Sequence, residues 1–95
     1  MKASLLIRER VVYPDGALVE MVAWLLPSPL SPSVHPFKYS LVYIVDGVRV
    51  LGYDNERGKG DHRHVVDSEE SFDFTSMDLL LERFVAEVED LRRRR

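Results

Sequence analysis

A chain of 95 residues has room for one hydrophobic core, so we expect a single domain over residues 1–95. It has no cysteine and no apolar run of membrane-spanning length, which excludes disulfides and thiol nucleophiles and favours a cytoplasmic protein. A formal net charge of −3 argues against a general nucleic-acid coat protein, so any nucleic-acid chemistry must come from a local site.

The first third of the chain predicts a β-hairpin. Residues 4–12 mix apolar and charged side chains as a half-buried strand does, and residues 17–26 are almost entirely apolar. Between them, Pro14 presets φ and Gly16 can take the positive φ that closes a turn. Four prolines within residues 27–36 then favour an extended connector over a docking or lid segment.

A second hairpin is predicted by Asp46-Gly47, a two-residue turn between residues 38–45 and 48–54. In a regular register Tyr43 would lie across from Val50 and Leu41 across from Gly52. The missing side chain of Gly52 would leave a gap that a neighbouring side chain or a ligand could enter.

The last third predicts a short fifth strand that begins at the two histidines, a polar turn over residues 67–71, and a helix to about Leu91. Thr75 or Ser76 would cap this helix, and Thr75 with Asp78 resembles a capping box. An apolar stripe would face the core, whereas Glu87 would face water. The predicted fold is α+β: an antiparallel sheet of four or five strands with one C-terminal helix packed on a face.

Residues 52–64 concentrate the polar groups that could carry out chemistry. Between Asp54 and His64, three acidic and three basic residues cancel, which is typical of paired and oriented charges and unlike a simple phosphate-binding patch. His62 and His64 would project to the same side of an extended chain, about 6–7 Å apart. A base, an acid and a cation are the parts that a metal-independent ribonuclease needs.

Two other interpretations of this stretch stay open. His62 and His64 with Asp61 or Asp54 could bind zinc or manganese, although further ligands would have to come from elsewhere in the fold. A solvated loop whose charges keep an edge strand from pairing with other chains would contain much the same residues.

The segment Tyr53-Asp-Asn-Glu-Arg-Gly-Lys-Gly-Asp-His-Arg-His64 resembles the signature of the TumE-family toxins of bacterial and archaeal toxin–antitoxin modules. The resemblance extends to Met1-Lys-Ala, the turn at residues 13–16, Leu51-Gly52 and the start of the helix, and so covers nearly the whole chain. It implies a small toxin that a cognate antitoxin binds and neutralises. By analogy with other small toxins, it also implies an active site within this motif.

We therefore predict the toxin of a toxin–antitoxin module that acts as a metal-independent endoribonuclease, without a cofactor. The expected partners are the cognate antitoxin and an RNA substrate but no membrane, and a homodimer is left open. A non-catalytic protein-binding module and a metal-dependent nuclease using His62 and His64 are the alternatives. The expected catalytic residues are His62, His64, Asp61 and Asp54. The expected substrate-binding residues are Arg57, Lys59, Arg63, Asn55 and Tyr53.

Overall fold

A computed structural model describes residues 2–56 and 58–94 of the chain, with an antiparallel sheet and one helix. Each strand pairs with the next along the chain, so the order of the strands in the sheet is their order in the sequence. The α+β prediction is confirmed, but the sheet has six strands where four or five were expected. The strands are β1 Ser4–Val12, β2 Leu18–Leu25, β3 Phe37–Val45, β4 Val48–Glu56, β5 Gly60–Val65 and β6 Ser68–Ser71, and the helix is α1 Met77–Arg93.

Both predicted hairpins are confirmed, and their turns have the expected backbone conformations. Gly16 has φ 89° in the β1–β2 turn, and Asp46 and Gly47 have φ 51° and 78° between β3 and β4. Positive φ at both central residues matches the twist of the flanking strands, and it explains why Asp-Gly predicts this hairpin well.

The predicted register of the second hairpin is wrong by one residue. The pairs beside the turn are as expected, including Ile44 with Arg49, but Tyr43 then pairs with Leu51. Val50 is therefore the extra residue of a β-bulge. Because a shift of one residue reverses the faces of a strand, the bulge determines which side chains of β4 meet the core.

The sixth strand replaces the predicted polar turn over residues 67–71. The turn itself is shorter and lies at Val66 and Asp67, where Val66 has φ 50°. Ser68 opens β6 and donates its hydroxyl to the carbonyl of Val65 at 2.9 Å. A β-branched residue at positive φ is not a sequence signal for a turn, so the hairpin was missed.

Helix α1 begins at the N-cap Ser76, whose hydroxyl accepts from Leu79 N–H at 3.1 Å. The expected capping box at Thr75 is wrong because the helix starts one residue later. The predicted apolar stripe is confirmed, since the residues of α1 that are buried lie at helical spacing: Met77, Leu80, Phe84 and Val88. No helix in residues 2–56 or 58–94 is long and apolar enough to cross a membrane.

The helix covers one side of the sheet, which gives the sheet two different faces. We call the side that carries α1 the helix face and the opposite side the open face. Leu51, Tyr53 and Asn55 of β4 lie on the helix face and are at most 1% exposed. Because side chains alternate along a strand, Gly52 and Asp54 belong to the open face.

Candidate functional site

The β4–β5 ladder divides the charged stretch between the two faces of the sheet. Tyr53 pairs with Arg63 and Asn55 pairs with Asp61, so these four side chains belong to the helix face. Gly52 pairs with His64 and Asp54 pairs with His62, so both histidines belong to the open face. The residues predicted to form one site are therefore divided between the two faces of the sheet.

The two histidines lie side by side on the open face, as predicted. Their ring centroids are 6.5 Å apart, and 18% of the His62 side chain and 13% of the His64 side chain are exposed. Asp54 is the ladder partner of His62, and its Oδ1 is 3.1 Å from His64 Nε2. A carboxylate can only accept, so the hydrogen of His64 lies on Nε2 and leaves Nδ1 as the basic nitrogen.

His62 is held at both ring nitrogens. Its Nδ1 lies 2.9 Å from Glu69 Oε1 of β6, and its Nε2 lies 2.9 Å from the carbonyl oxygen of Lys59. Both partners are acceptors, so the ring satisfies both contacts only when it carries two hydrogens. Glu69 is not among the predicted residues, because the sequence predicts a polar turn where β6 lies.

A guanidinium reaches the open face from the start of β4. A Cβ placed on Gly52 would lie 3.0 Å from Cδ of Arg49, so the gap expected at Gly52 is filled by the Arg49 side chain. Gly52 is the ladder partner of His64, which brings Arg49 to the same part of the face. Lys59 is exposed at the end of the ladder, and Arg57 lies outside the described residues.

Arg63 and Tyr53 are engaged on the helix face. Arg63 donates to Glu87 of α1, and the buried hydroxyl of Tyr53 donates to the same carboxylate. The expectation that Glu87 faces water is therefore wrong. Burial would raise the pKa of Glu87, but the hydrogen bonds from Arg63 and Tyr53 outweigh it and lower that pKa. Burial, with the hydrogen bond to Glu87, raises the pKa of Tyr53 to about 12.

Asn55 is 1% exposed, and its amide binds backbone groups of β3. Its Oδ1 accepts from Tyr39 N–H at 3.0 Å, and its Nδ2 donates to the carbonyl of Phe37 at 2.6 Å. Since both ends of the amide are satisfied within the protein, Asn55 joins β3 to β4 and does not reach the open face.

Asp61 belongs to a third group, which joins the proline-rich connector to the sheet. Its Oδ1 lies 2.8 Å from His35 Nε2 and accepts from the hydroxyl of Tyr39. Because Phe37 N–H donates to His35 Nδ1, the single hydrogen of the neutral ring is on Nε2 and points to Asp61. The His35 ring stacks on Phe74 with centroids 3.8 Å apart. The sequence carries no signal for the role of His35, because its partners are distant in the chain.

The arrangement of the described residues does not support the alternative of a metal-dependent nuclease. Within residues 2–56 and 58–94, no group of three or more histidine, aspartate or glutamate side chains is placed to hold a metal ion. The rings of His62 and His64 bind Glu69, Asp54 and a backbone carbonyl, and Asp61 lies on the other face.

The comparison with known families agrees with the motif at residues 53–64. A family model described as Toxin TumE matches residues 2–92, nearly the whole chain. The chain belongs to the TumE toxin family. The resemblance stated from the sequence is thereby confirmed, and with it the toxin of a toxin–antitoxin module, whose partner is a cognate antitoxin. No curated protein and no solved structure matches the chain.

Proposed function

We propose that this toxin is a metal-independent endoribonuclease in which His62 and His64 act as the acid–base pair. The observation that carries the proposal is the pair of rings on the open face, 6.5 Å apart, with the Asp54 carboxylate bound to His64. That spacing lets two imidazoles approach one phosphodiester from opposite sides, with one ring near the ribose 2′-oxygen and the other near the 5′-oxygen.

His64 is the base in this proposal. Its Nε2–H is held by Asp54, so Nδ1 is the nitrogen that can accept a proton. It takes the proton of the ribose 2′-hydroxyl while the 2′-oxygen bonds to phosphorus. The Asp54 carboxylate then stabilises the imidazolium that forms, as a carboxylate does behind a catalytic histidine.

His62 is the acid. With two acceptors around it, the ring is held in the arrangement of an imidazolium, and it gives one proton to the 5′-oxygen as the P–O5′ bond breaks. The products are a 2′,3′-cyclic phosphate and a 5′-hydroxyl, so no water, metal or other reactant is consumed in this step. Glu69 is the exposed partner that can release the ring, with 41% of its side chain accessible.

Arg49 and Lys59 supply positive charge for the phosphate, together with Arg57 as predicted from the sequence. Negative charge on the phosphoryl oxygens grows in the transition state, and a cation beside them lowers the barrier. Arg63, by contrast, is neutralised by Glu70 and Glu87, and we assign it to the stability of the helix face. Tyr53 and Asn55 are assigned to the same scaffold, because they are buried there.

The test is expression of wild type, His62→Ala and His64→Ala in a host that lacks the antitoxin, together with cleavage of single-stranded RNA by purified protein in excess chelator. We expect wild type to stop growth and to leave cyclic phosphate ends. Each variant should lose about 10²–10⁴-fold in rate. Equal toxicity at equal protein levels would reject acid–base catalysis and favour a non-catalytic binding module. Activity that chelator abolishes and zinc or manganese restores would favour the metal-dependent alternative.

A further inference from the structure

A cavity of about 310 Å³ lies at the end of the β4–β5 ladder, beside the histidine pair. It is bounded by the proline-rich connector on one side and by the segment before α1 on the other. Its polar and aromatic lining includes Ser33, His35, Lys59, Asp61, Asp73 and Phe74. The proposed cleavage reaction uses only Lys59 of these residues, so the cavity needs its own explanation.

Asp61 is the fixed acceptor of this cavity. His35 and Tyr39 both bind its Oδ1, and no residue in the described parts of the chain binds Oδ2. Burial and the hydrogen bond to Asp61 raise the pKa of Tyr39, so its hydroxyl stays a donor and the carboxylate keeps its orientation. A carboxylate oxygen that is oriented in this way and lines a cavity is a ready hydrogen-bond acceptor for a ligand.

Ser33 provides a second polar group without a partner. Its hydroxyl oxygen is buried, and it makes no hydrogen bond to any described residue. Buried hydroxyls are nearly always satisfied, so an orphan hydroxyl beside a cavity indicates a missing partner.

The charges of the lining select the kind of ligand. Asp61 and Asp73 outnumber Lys59, and His35 Nδ1 already accepts from the Phe37 N–H. A net negative lining disfavours phosphate and favours a neutral group that is rich in donors. Among the nucleobases, guanine has adjacent N1–H and N2–H donors, which suit a lining that contains two carboxylates.

Two residues that line the cavity, Lys59 and Ser71, are also direct neighbours of His62. Lys59 lines the cavity, while its carbonyl oxygen binds His62 Nε2 at 2.9 Å. Ser71 also lines the cavity and is the ladder partner of His62. A single-stranded RNA whose phosphate lies at the histidines can therefore place a neighbouring base in the cavity.

We infer that this cavity is a base subsite of the proposed ribonuclease and that it holds a guanine next to the scissile phosphate, with Asp61 Oδ2 as the acceptor for its N–H edge. The inference rests on the proposed function for its biological role, but base binding in the cavity can be measured without cleavage.

The first experiment measures cleavage of uridine-rich RNAs that contain one guanosine, one inosine or one adenosine. Inosine differs from guanosine only by the missing 2-amino group. We expect cleavage at the bond beside guanosine to be about tenfold faster than beside inosine, as for the loss of a base-specific contact. Cleavage at equal rates beside all three nucleosides would overturn the subsite while leaving the ribonuclease intact.

The second experiment uses Asp61→Asn, which keeps an oxygen for His35 and Tyr39 and replaces Oδ2 by an N–H donor. The variant should lose the guanosine preference, measured as the ratio of the cleavage rate beside guanosine to the cleavage rate beside inosine in the same RNA background. Asp67→Asn, an exposed carboxylate in the β5–β6 turn, is the matched control and should keep the preference. An unchanged preference in Asp61→Asn, with a melting temperature near that of wild type, would overturn the inference.

The third experiment separates the subsite from the chemistry. A thymidine pentamer with a central deoxyguanosine has no 2′-hydroxyl and cannot be cleaved by the proposed reaction. It should bind more tightly than the deoxyinosine pentamer and shift the amide resonances of Ser33, Asp61 and Phe74. This result without RNA cleavage would leave the subsite standing and reject the ribonuclease. RNA cleavage by a protein that binds the two pentamers equally well would reject the guanine subsite and leave the ribonuclease standing.

Discussion

The open face and the helix face of the β4–β5 ladder are built from alternating residues of the same two strands, yet they have different roles. On the helix face, Arg63 and Tyr53 are paired with Glu87 beneath α1, and these contacts connect the helix to the sheet. On the open face, the two histidines have one carboxylate each and no helix above them. One charged motif therefore contributes both a scaffold and a candidate site, because a strand reverses its side chains at every residue.

The largest expected effect separates two neighbouring residues of β5. His64→Ala should reduce RNA cleavage by about 10²–10⁴-fold, because it removes the proposed base, and should leave the melting temperature nearly unchanged. Arg63→Met should instead lower stability and leave the cleavage rate per folded molecule nearly unchanged. It leaves Glu87 without its main partner, so we expect a loss of about 1–3 kcal/mol in the free energy of unfolding. Chemical denaturation and cleavage rates per folded molecule would measure both. Loss of activity in folded Arg63→Met would contradict the division between the faces.

The next largest effect concerns Asn55. Asn55→Ala leaves Tyr39 N–H and the carbonyl of Phe37 without partners in a buried site, and each unsatisfied group costs about 1–3 kcal/mol. We expect a total loss of about 2–4 kcal/mol in urea denaturation. Ser40→Ala, at an exposed position of the same strand β3, is the control and should change stability by less than about 0.5 kcal/mol. Similar losses in both variants would show that the amide does not join β3 to β4.

A smaller effect is expected in the pH dependence of stability. The pKa of Glu87 is lowered in the folded protein, so its contribution is present above the ordinary value of 4.5 and is lost as the pH falls through the folded pKa. Glu87→Gln should lower stability at pH 7 by about 1–2 kcal/mol and flatten the loss of stability in acid. Glu82→Gln, an exposed residue of the same helix, should leave the pH profile unchanged. If stability falls as steeply in acid in Glu87→Gln as in wild type, the pH dependence does not come from Glu87.

The smallest effect concerns the gap at Gly52. Gly52→Ala puts a methyl group 3.0 Å from Cδ of Arg49, and this flexible side chain can swing away, so stability should fall by less than about 1 kcal/mol. Gly52→Ala should also slow RNA cleavage, but by much less than the ~10²–10³-fold that the loss of a preorganised hydrogen-bond donor costs. In an Arg49→Ala background the same change should have no further effect on the rate. Additive losses would mean that Gly52 acts independently of Arg49.

The sequence predicted the local features well and the long-range ones poorly. The Asp46-Gly47 hairpin, the turn at Gly16 and the apolar stripe of α1 follow from propensities within a few residues, and the structure confirms them. The β5–β6 hairpin was missed because Val66 takes a positive φ that its side chain disfavours. The bulge at Val50 left no sequence signal either, and it shifted the predicted register.

For the candidate site, the spacing of His62 and His64 was predictable because a strand has a period of two residues. The same period implies that Asp61 and Arg63 point away from the histidines, but it cannot tell which side the helix covers. Glu69, Arg49 and His35 were missed because their roles depend on strands and loops that meet only in the folded chain.

The sequence by itself determined the family, the two turn-defined hairpins, the amphipathic helix and the same-side placement of the histidine pair, because all of these depend on motif, spacing and local backbone preference. Only the tertiary structure decided that Asp54 and Glu69 are the carboxylates beside the histidines and that Asp61 and Arg63 serve the opposite face. The physical reason is that strand register and helix placement come from burial summed over the whole sheet, which no short segment encodes.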